Sequence, residues 1–126
     1  MKRLIAAAAL FSVIIIICII SRLTVHGSVK AAKNAVYECE RLFLEKRFTE
    51  AAAATEAFKN GFKKESEMIS LFADHNNLDD INMLAASMLE AAKEKDGFQF
   101  YSAASRISFA LDMIYKEHSF TLENLY

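Results

Sequence analysis

The 126-residue sequence has no proline, no tryptophan and only three glycines. The residues that usually break a chain into strands and tight turns are therefore nearly missing. Alanine, leucine, glutamate, lysine, phenylalanine and methionine are plentiful, and that balance favours helix over sheet. The two cysteines, Cys18 and Cys39, make a poor disulfide pair. They are 21 residues apart, roughly 30 Å along one continuous helix. Cys39 reads instead as a small buried apolar residue. No acidic residue precedes Glu38. From Thr24 onward there are 12 Lys and Arg against 16 Asp and Glu. A mildly acidic domain with no basic stripe and no glycine-rich phosphate loop argues against nucleic acid as a partner.

One long apolar run is present. Leu4 to Ile20 is 17 residues without a charge, with Ser12 as its clearly polar member. As a helix it spans roughly 25 Å, the short end of what crosses a bilayer core. Ser21, Leu23 and Val25 can extend it, with Arg22 reaching back to the headgroups. The reading is an N-terminal anchor over residues 1–25 and a soluble domain over residues 26–126. The competing reading is a cleaved signal peptide with a weak site at Val25-His26-Gly27, before Ser28. Lys2 and Arg3 argue for a cytoplasmic N-terminus and an extracytoplasmic domain at the cell membrane. Arg22, Lys30 and Lys33 pull the other way.

The rest of the chain is patterned as four amphipathic helices. Val25, Val29, Ala32, Val36, Cys39 and Phe43 recur at alternating spacings of four and three, a single apolar stripe. Gly27-Ser28 either interrupts the passage from the anchor or lies inside one long helix. A second stripe runs through Phe48, Ala51, Thr55, Phe58, Phe62, Ile69 and Phe72, with Glu65 in its register. Gly61 falls mid-pattern, where a kink is expected. Polar Asp74 to Asn77 closes that helix, and Asn76 or Asn77 caps the next. Asp79 and Asp80 then suit its first turn. Leu78, Ile81, Leu84, Ala85, Met88 and Ala92 form the third inner face. Asp96-Gly97 reads as a turn. Phe100, Ala104, Ile107, Leu111 and Ile114 form the fourth face, which frays near His118-Ser119 before a last turn capped by Thr121. Short connections favour antiparallel neighbours. The expected fold is all-α: a transmembrane helix, then two antiparallel α-hairpins, Ser28–Phe72 and Leu78–His118, as a bundle or a short repeat-like stack.

No catalytic constellation emerges. His26, His75 and His118 are far apart and form no zinc-binding spacing. The serines lack a nucleophile-elbow context. The glutamates lack the Glu-x-x-His pairing of di-iron bundles. The sequence gives no reason to expect a cofactor, a metal, a small-molecule substrate or an enzyme. The most polar stretch, Asp74-His75-Asn76-Asn77-Leu78-Asp79-Asp80, suggests a loop for a cation or a partner. It lacks the alternating ligands and tight-turn glycine of a calcium loop. Phe98, Phe100, Tyr101 and Phe109 fall on more than one face of the fourth helix, so some aromatic surface is left for a partner.

Three stretches carry a family resemblance: Leu71-Phe72-Ala73-Asp74-His75, then Leu78-Asp79-Asp80-Ile81, and the ending Glu117-His118-Ser119-Phe120-Thr121-Leu122-Glu123-Asn124-Leu125-Tyr126. The chain resembles a family of small membrane-anchored bacterial proteins of Gram-positive spore-forming lineages, known only as a domain of unknown function. The family expects an aromatic, often tryptophan, in the second helix; here Phe58 or Phe62 takes that place. The resemblance implies structural roles for Asp74, His75 and Asn124: fixing the central loop and docking the C-terminal turn. The candidate site is thus Asp74, His75, Asp79, Asp80 and Asn124. The functional expectation is a non-enzymatic, membrane-tethered interaction module, accessory to another membrane protein. An extracytoplasmic sensor of a ligand or cation at the Asp74–Asp80 loop is the alternative.

Overall fold

The structure, a computed structural model, describes residues 1–70 and 75–124, and at 21, 22 and 117–124 the backbone alone. Four helices account for nearly all of it, and no strand occurs among the described residues. They are α1 (Lys2–Leu44), α2 (Phe48–Ile69), α3 (His75–Glu94) and α4 (Gly97–Asn124). α1 packs on α2 and α4, α2 on α3, and α3 on α4, so the ring of contacts closes into a four-helix bundle.

The sequence stripes become the core. Val25, Val29, Ala32, Val36, Cys39 and Phe43 are all buried. Phe100, Ala104, Ile107, Leu111 and Ile114 of α4 are at most 2% exposed. On α3, Leu78, Ile81, Ala85, Met88 and Ala92 face inward as expected, Leu84 is only partly buried, and Leu89 and Ala91 join the core. On α2 the register differs at one place. Ser66 is buried where Glu65 was expected, and Glu65 is exposed. Ser66 tolerates burial because its hydroxyl donates to the Lys63 carbonyl at 2.8 Å. A glutamate there would bring a charge into the core. Thr55, also wholly buried, donates to the Ala51 carbonyl at 2.7 Å.

The helix limits decide one open alternative and correct other expectations. α1 passes through Gly27-Ser28 without a break, so the apolar run and the first core stripe lie on one 43-residue helix. α3 starts at His75, ahead of Asn76 and Asn77. Asp79 and Asp80 consequently fall beyond its first turn, where the helix dipole favours them less. α4 continues past His118-Ser119 to Asn124, where fraying and a new cap at Thr121 were expected. The expected stripe member Phe72 lies outside the described residues.

The α1–α2 and α3–α4 turns repeat one device. Lys46 donates its backbone N–H to the Phe43 carbonyl, and Arg47 donates to that of Leu42, both at 3.0 Å. Lys95 donates to Ala92 at 3.3 Å, and Asp96 to Ala91 at 2.9 Å. Each pair is the two-bond helix stop that satisfies the last carbonyls. It places one residue in the left-handed region: Lys46 at φ 62 and Lys95 at φ 58. Gly97, expected to make the second turn, instead opens α4. Asp96 caps that helix, its Oδ1 accepting from the Gln99 N–H at 3.2 Å.

A cluster of rings ties these two turns together. Phe43 stacks on Phe100 with centroids 4.2 Å apart, and meets Phe48 and Tyr101 edge-on at 5.1 and 5.5 Å. The Lys95 ammonium lies 5.4 Å from the Phe48 centroid. Further along, Lys33 of α1 pairs with Asp112 of α4 at 2.6 Å, and His26 stacks on Tyr115 at 4.2 Å.

A left-handed backbone costs a non-glycine residue roughly 1–2 kcal/mol. Glycine relieves this but gains freedom in the unfolded chain. Lys46→Gly is therefore expected to stabilise the bundle by up to about 1 kcal/mol in chemical denaturation. Lys95→Gly should gain less, since it also removes the contact with Phe48. A loss of stability in Lys46→Gly would contradict the role assigned to this turn.

Candidate functional site

The polar segment between α2 and α3 is the first place to look. His75 opens α3 and is exposed, as are Asp79 and Asp80 one turn on. Asp74 lies outside the described residues, and Asn124 closes α4 with only its backbone described. The fold brings His75 and Asp79 to one open groove of about 250 Å³, with Lys63 and Ser66 of α2, and Ser70 just past its end, on the other wall. Asp80 does not line it. Among the described residues, no three His, Cys, Asp or Glu side chains gather where they could hold a metal ion. Asn82 lies deeper in the groove. It donates from Nδ2 to the Ser66 hydroxyl at 3.2 Å, and its buried Oδ1 has no hydrogen-bond partner among the described residues.

A second groove, of about 440 Å³, separates the outer faces of α1 and α2. Its walls carry small residues, Ala31 and Ala35 from α1 and Ala54, Ala57 and Gly61 from α2, and buried Ala32, Phe58 and Phe62 lie at its base. Nothing lies within 4 Å of where a Gly61 side chain would begin. Glu38 and Glu65 also line it. Arg41 holds the Glu38 carboxyl below the ordinary carboxylate range through a side-chain hydrogen bond. The same arginine reaches Glu45, and Arg47 joins Glu45 to Glu50. All five residues are exposed, so this chain of charges adds little stability.

A third groove, of about 540 Å³, lies between α1 and α4, lined by His26, Lys30 and Lys33 on one side and Asp112 and Tyr115 on the other. The spacing of 26, 30 and 33 puts these three on one helix face, a signal present in the sequence. Their partners on α4 are seventy or more positions away and left no local signal.

Surplus apolar surface is real but divided. Tyr37 and Leu44 are more than 70% exposed on α1, and Phe98 and Phe109 are exposed on α4. Phe100, by contrast, is fully buried, and Tyr101 lies at the margin of the ring cluster. Burial raises the Tyr101 phenol, with the nearby Glu40 charge adding to it. Glu40 is itself raised by partial burial.

The geometry defines a small all-helical bundle led by one apolar N-terminal helix long enough to cross a membrane. The chain belongs to the family described as domain of unknown function DUF4363, whose family model matches residues 19–125. The match takes in the whole bundle and only the last two residues of the Leu4–Ile20 run. No curated protein and no solved structure matches the chain.

Cys39 offers a test of the core beneath these surfaces. Burial raises its thiol above the ordinary range, and the Thr55 hydroxyl only partly opposes this. A group whose pKa is higher folded than unfolded stabilises fully below its unfolded value. That stability is lost as pH climbs through the folded value. Denaturation midpoints should therefore fall as pH rises above about 8.5, the ordinary thiol value. Cys39→Ala should flatten that alkaline fall. An unchanged slope in the variant would show that Cys39 does not contribute to it.

Proposed function

We propose that the chain is a membrane-tethered helical interaction module without catalytic activity of its own, accessory to another membrane protein. Residues 4–20 sit in the bilayer, and the bundle lies on the extracytoplasmic side of the cell membrane. The bundle is two antiparallel hairpins, α1 with α2 and α3 with α4. A source among Gram-positive spore-forming bacteria, implied by the sequence resemblance, belongs to the same reading.

The observation that carries the tether is the surface of α1. Its most apolar 18-residue stretch has none of its residues buried inside the bundle. Phe11 and the isoleucines from Ile14 to Ile20 all point outward. An uncovered apolar length of this size needs an apolar surrounding, and a bilayer core provides it. A cleaved signal peptide accounts less well for the same residues. Cutting before Ser28 would take Val25, wholly buried, out of the core. It would also remove His26 from Tyr115. Two antiparallel hairpins draw support from the short turns at 45–47 and 95–96. The pairings of Phe43 with Phe100, Lys33 with Asp112, and His26 with Tyr115 add to it.

The interaction part draws on the α1–α2 groove. Its alanines and glycine leave room for a second helix to lie across Phe58 and Phe62, and helices approach closest where the facing side chains are small. The occupant is a helix of the neighbouring membrane protein. The alternative of a cation sensor gains no specific support: His75 and Asp79 share a groove, Asp80 does not line it, and no three such side chains gather among the described residues.

Two measurements in native membranes test this. The full chain should stay in the pellet after alkaline carbonate washing; release to the supernatant would overturn the tether. A photocrosslinking amino acid at Ala57 should give one discrete heavier adduct containing another membrane protein, and the same probe at Lys93 should not. The absence of an adduct at Ala57 would overturn the interaction.

A further inference from the structure

The α1–α4 groove stands next to the proposed membrane surface. His26 is six residues beyond Ile20, roughly 9 Å along the helix, and Lys30 and Lys33 follow at about 15 and 20 Å. With a headgroup layer of roughly 5–8 Å beyond the hydrocarbon core, His26 lies at its outer edge, and Lys30 stands above it with its side chain leaning back toward the N-terminus and the headgroups. Its charges are not balanced. Lys33 is paired with Asp112 at 2.6 Å, whereas Lys30 has no ion-pair partner among the described residues. Asn34 adds an amide at the rim, and Tyr115 stacks on His26 to close the lower end. A cation on the wall, hydrogen-bond donors around it and an aromatic at the interface are the features that hold an anionic headgroup.

We propose that this groove binds the phosphate headgroup of an anionic phospholipid from the membrane that α1 crosses. The proposal rests on the tethered reading above. Lys30 supplies the charge for the phosphate. The Asn34 amide donates a hydrogen bond to the outer, polar part of the headgroup. The Lys33–Asp112 pair fixes the spacing of α1 and α4 around it. The acidic character of the remaining bundle works against a diffuse attraction to the surface, so binding is confined to this groove. The position of α1 favours a lipid over a free phosphate compound: a headgroup is held at this height by its own acyl chains, and so arrives at high local concentration.

The test uses the full chain in nanodiscs of phosphatidylcholine with one-fifth phosphatidylglycerol. Bound lipid is counted by native mass spectrometry after release into mild detergent. Wild type should retain phosphatidylglycerol over phosphatidylcholine. Lys30→Glu should lower that retention at least tenfold. Lys93→Glu, the same charge change on an exposed site of α3, should leave it intact. Circular dichroism confirms that each variant is folded, as expected for exposed positions. Equal retention by Lys30→Glu and wild type would overturn the proposal. So would displacement of the lipid by millimolar glycerol phosphate, which would assign the groove to a soluble phosphate. If the chain inserts in pure phosphatidylcholine but shows no preference for phosphatidylglycerol, this inference fails and the tether stands. If it does not insert at all, the tether itself fails.

Discussion

One unbroken helix has two opposite surfaces. From Leu4 to Ile20 the large apolar side chains of α1 point outward, and from Val25 to Phe43 the apolar stripe points into the bundle. No glycine hinge, proline or loop separates the halves. Everything else in the structure follows from that continuity. α1 contributes a wall of the bundle to both α2 and α4, so the bundle cannot close without it. Whatever surrounds the first half is coupled rigidly to the orientation of the second.

The two ends of the bundle are held by different chemistry. At the far end, four aromatic rings and two left-handed lysines lock the turns at 45–47 and 95–96. Near the apolar half, contacts are polar and open: a stacked histidine, an exposed ion pair and a groove between helices. Stacked and edge-on rings add to their area burial, while an exposed ion pair adds little. The firm end thus lies away from the proposed membrane and the adaptable end beside it, where a headgroup or a partner would have to be accommodated.

Much of this was legible in the sequence, for a plain reason. Core positions are set by spacing, and every member of the α1 and α4 stripes is buried because no polar residue competes for their register; Leu42 joins the α1 stripe from beside Phe43. The register of α2 was misread at one position because Ile69 is reached from Phe62 by three plus four or by four plus three. Only the packed chain decides between Glu65 and Ser66. The second turn was placed one residue late because glycine marks a left-handed residue in most proteins, whereas here Lys95 occupies that place and Gly97 begins a helix. The grooves were not legible as sites. Each is built from two helices, and the faces of α4 that meet Lys30 or Lys33 are fixed by the closure of the ring. Of the residues singled out in the polar loop, His75 and Asp79 share a groove, Asp80 does not line it, and Asp74 lies outside the described residues.

The continuity of α1 is the central claim and can be measured directly. Spin labels at Ile16 and Tyr37, both exposed, bracket the Gly27-Ser28 junction. Pulsed electron resonance on the full chain in nanodiscs should give one narrow distance near 32 Å, about 21 residues of helical rise. A broad distribution, or a main peak below about 25 Å, would mean that the helix breaks between its two halves. The account of a rigid coupling between apolar segment and bundle would then be wrong.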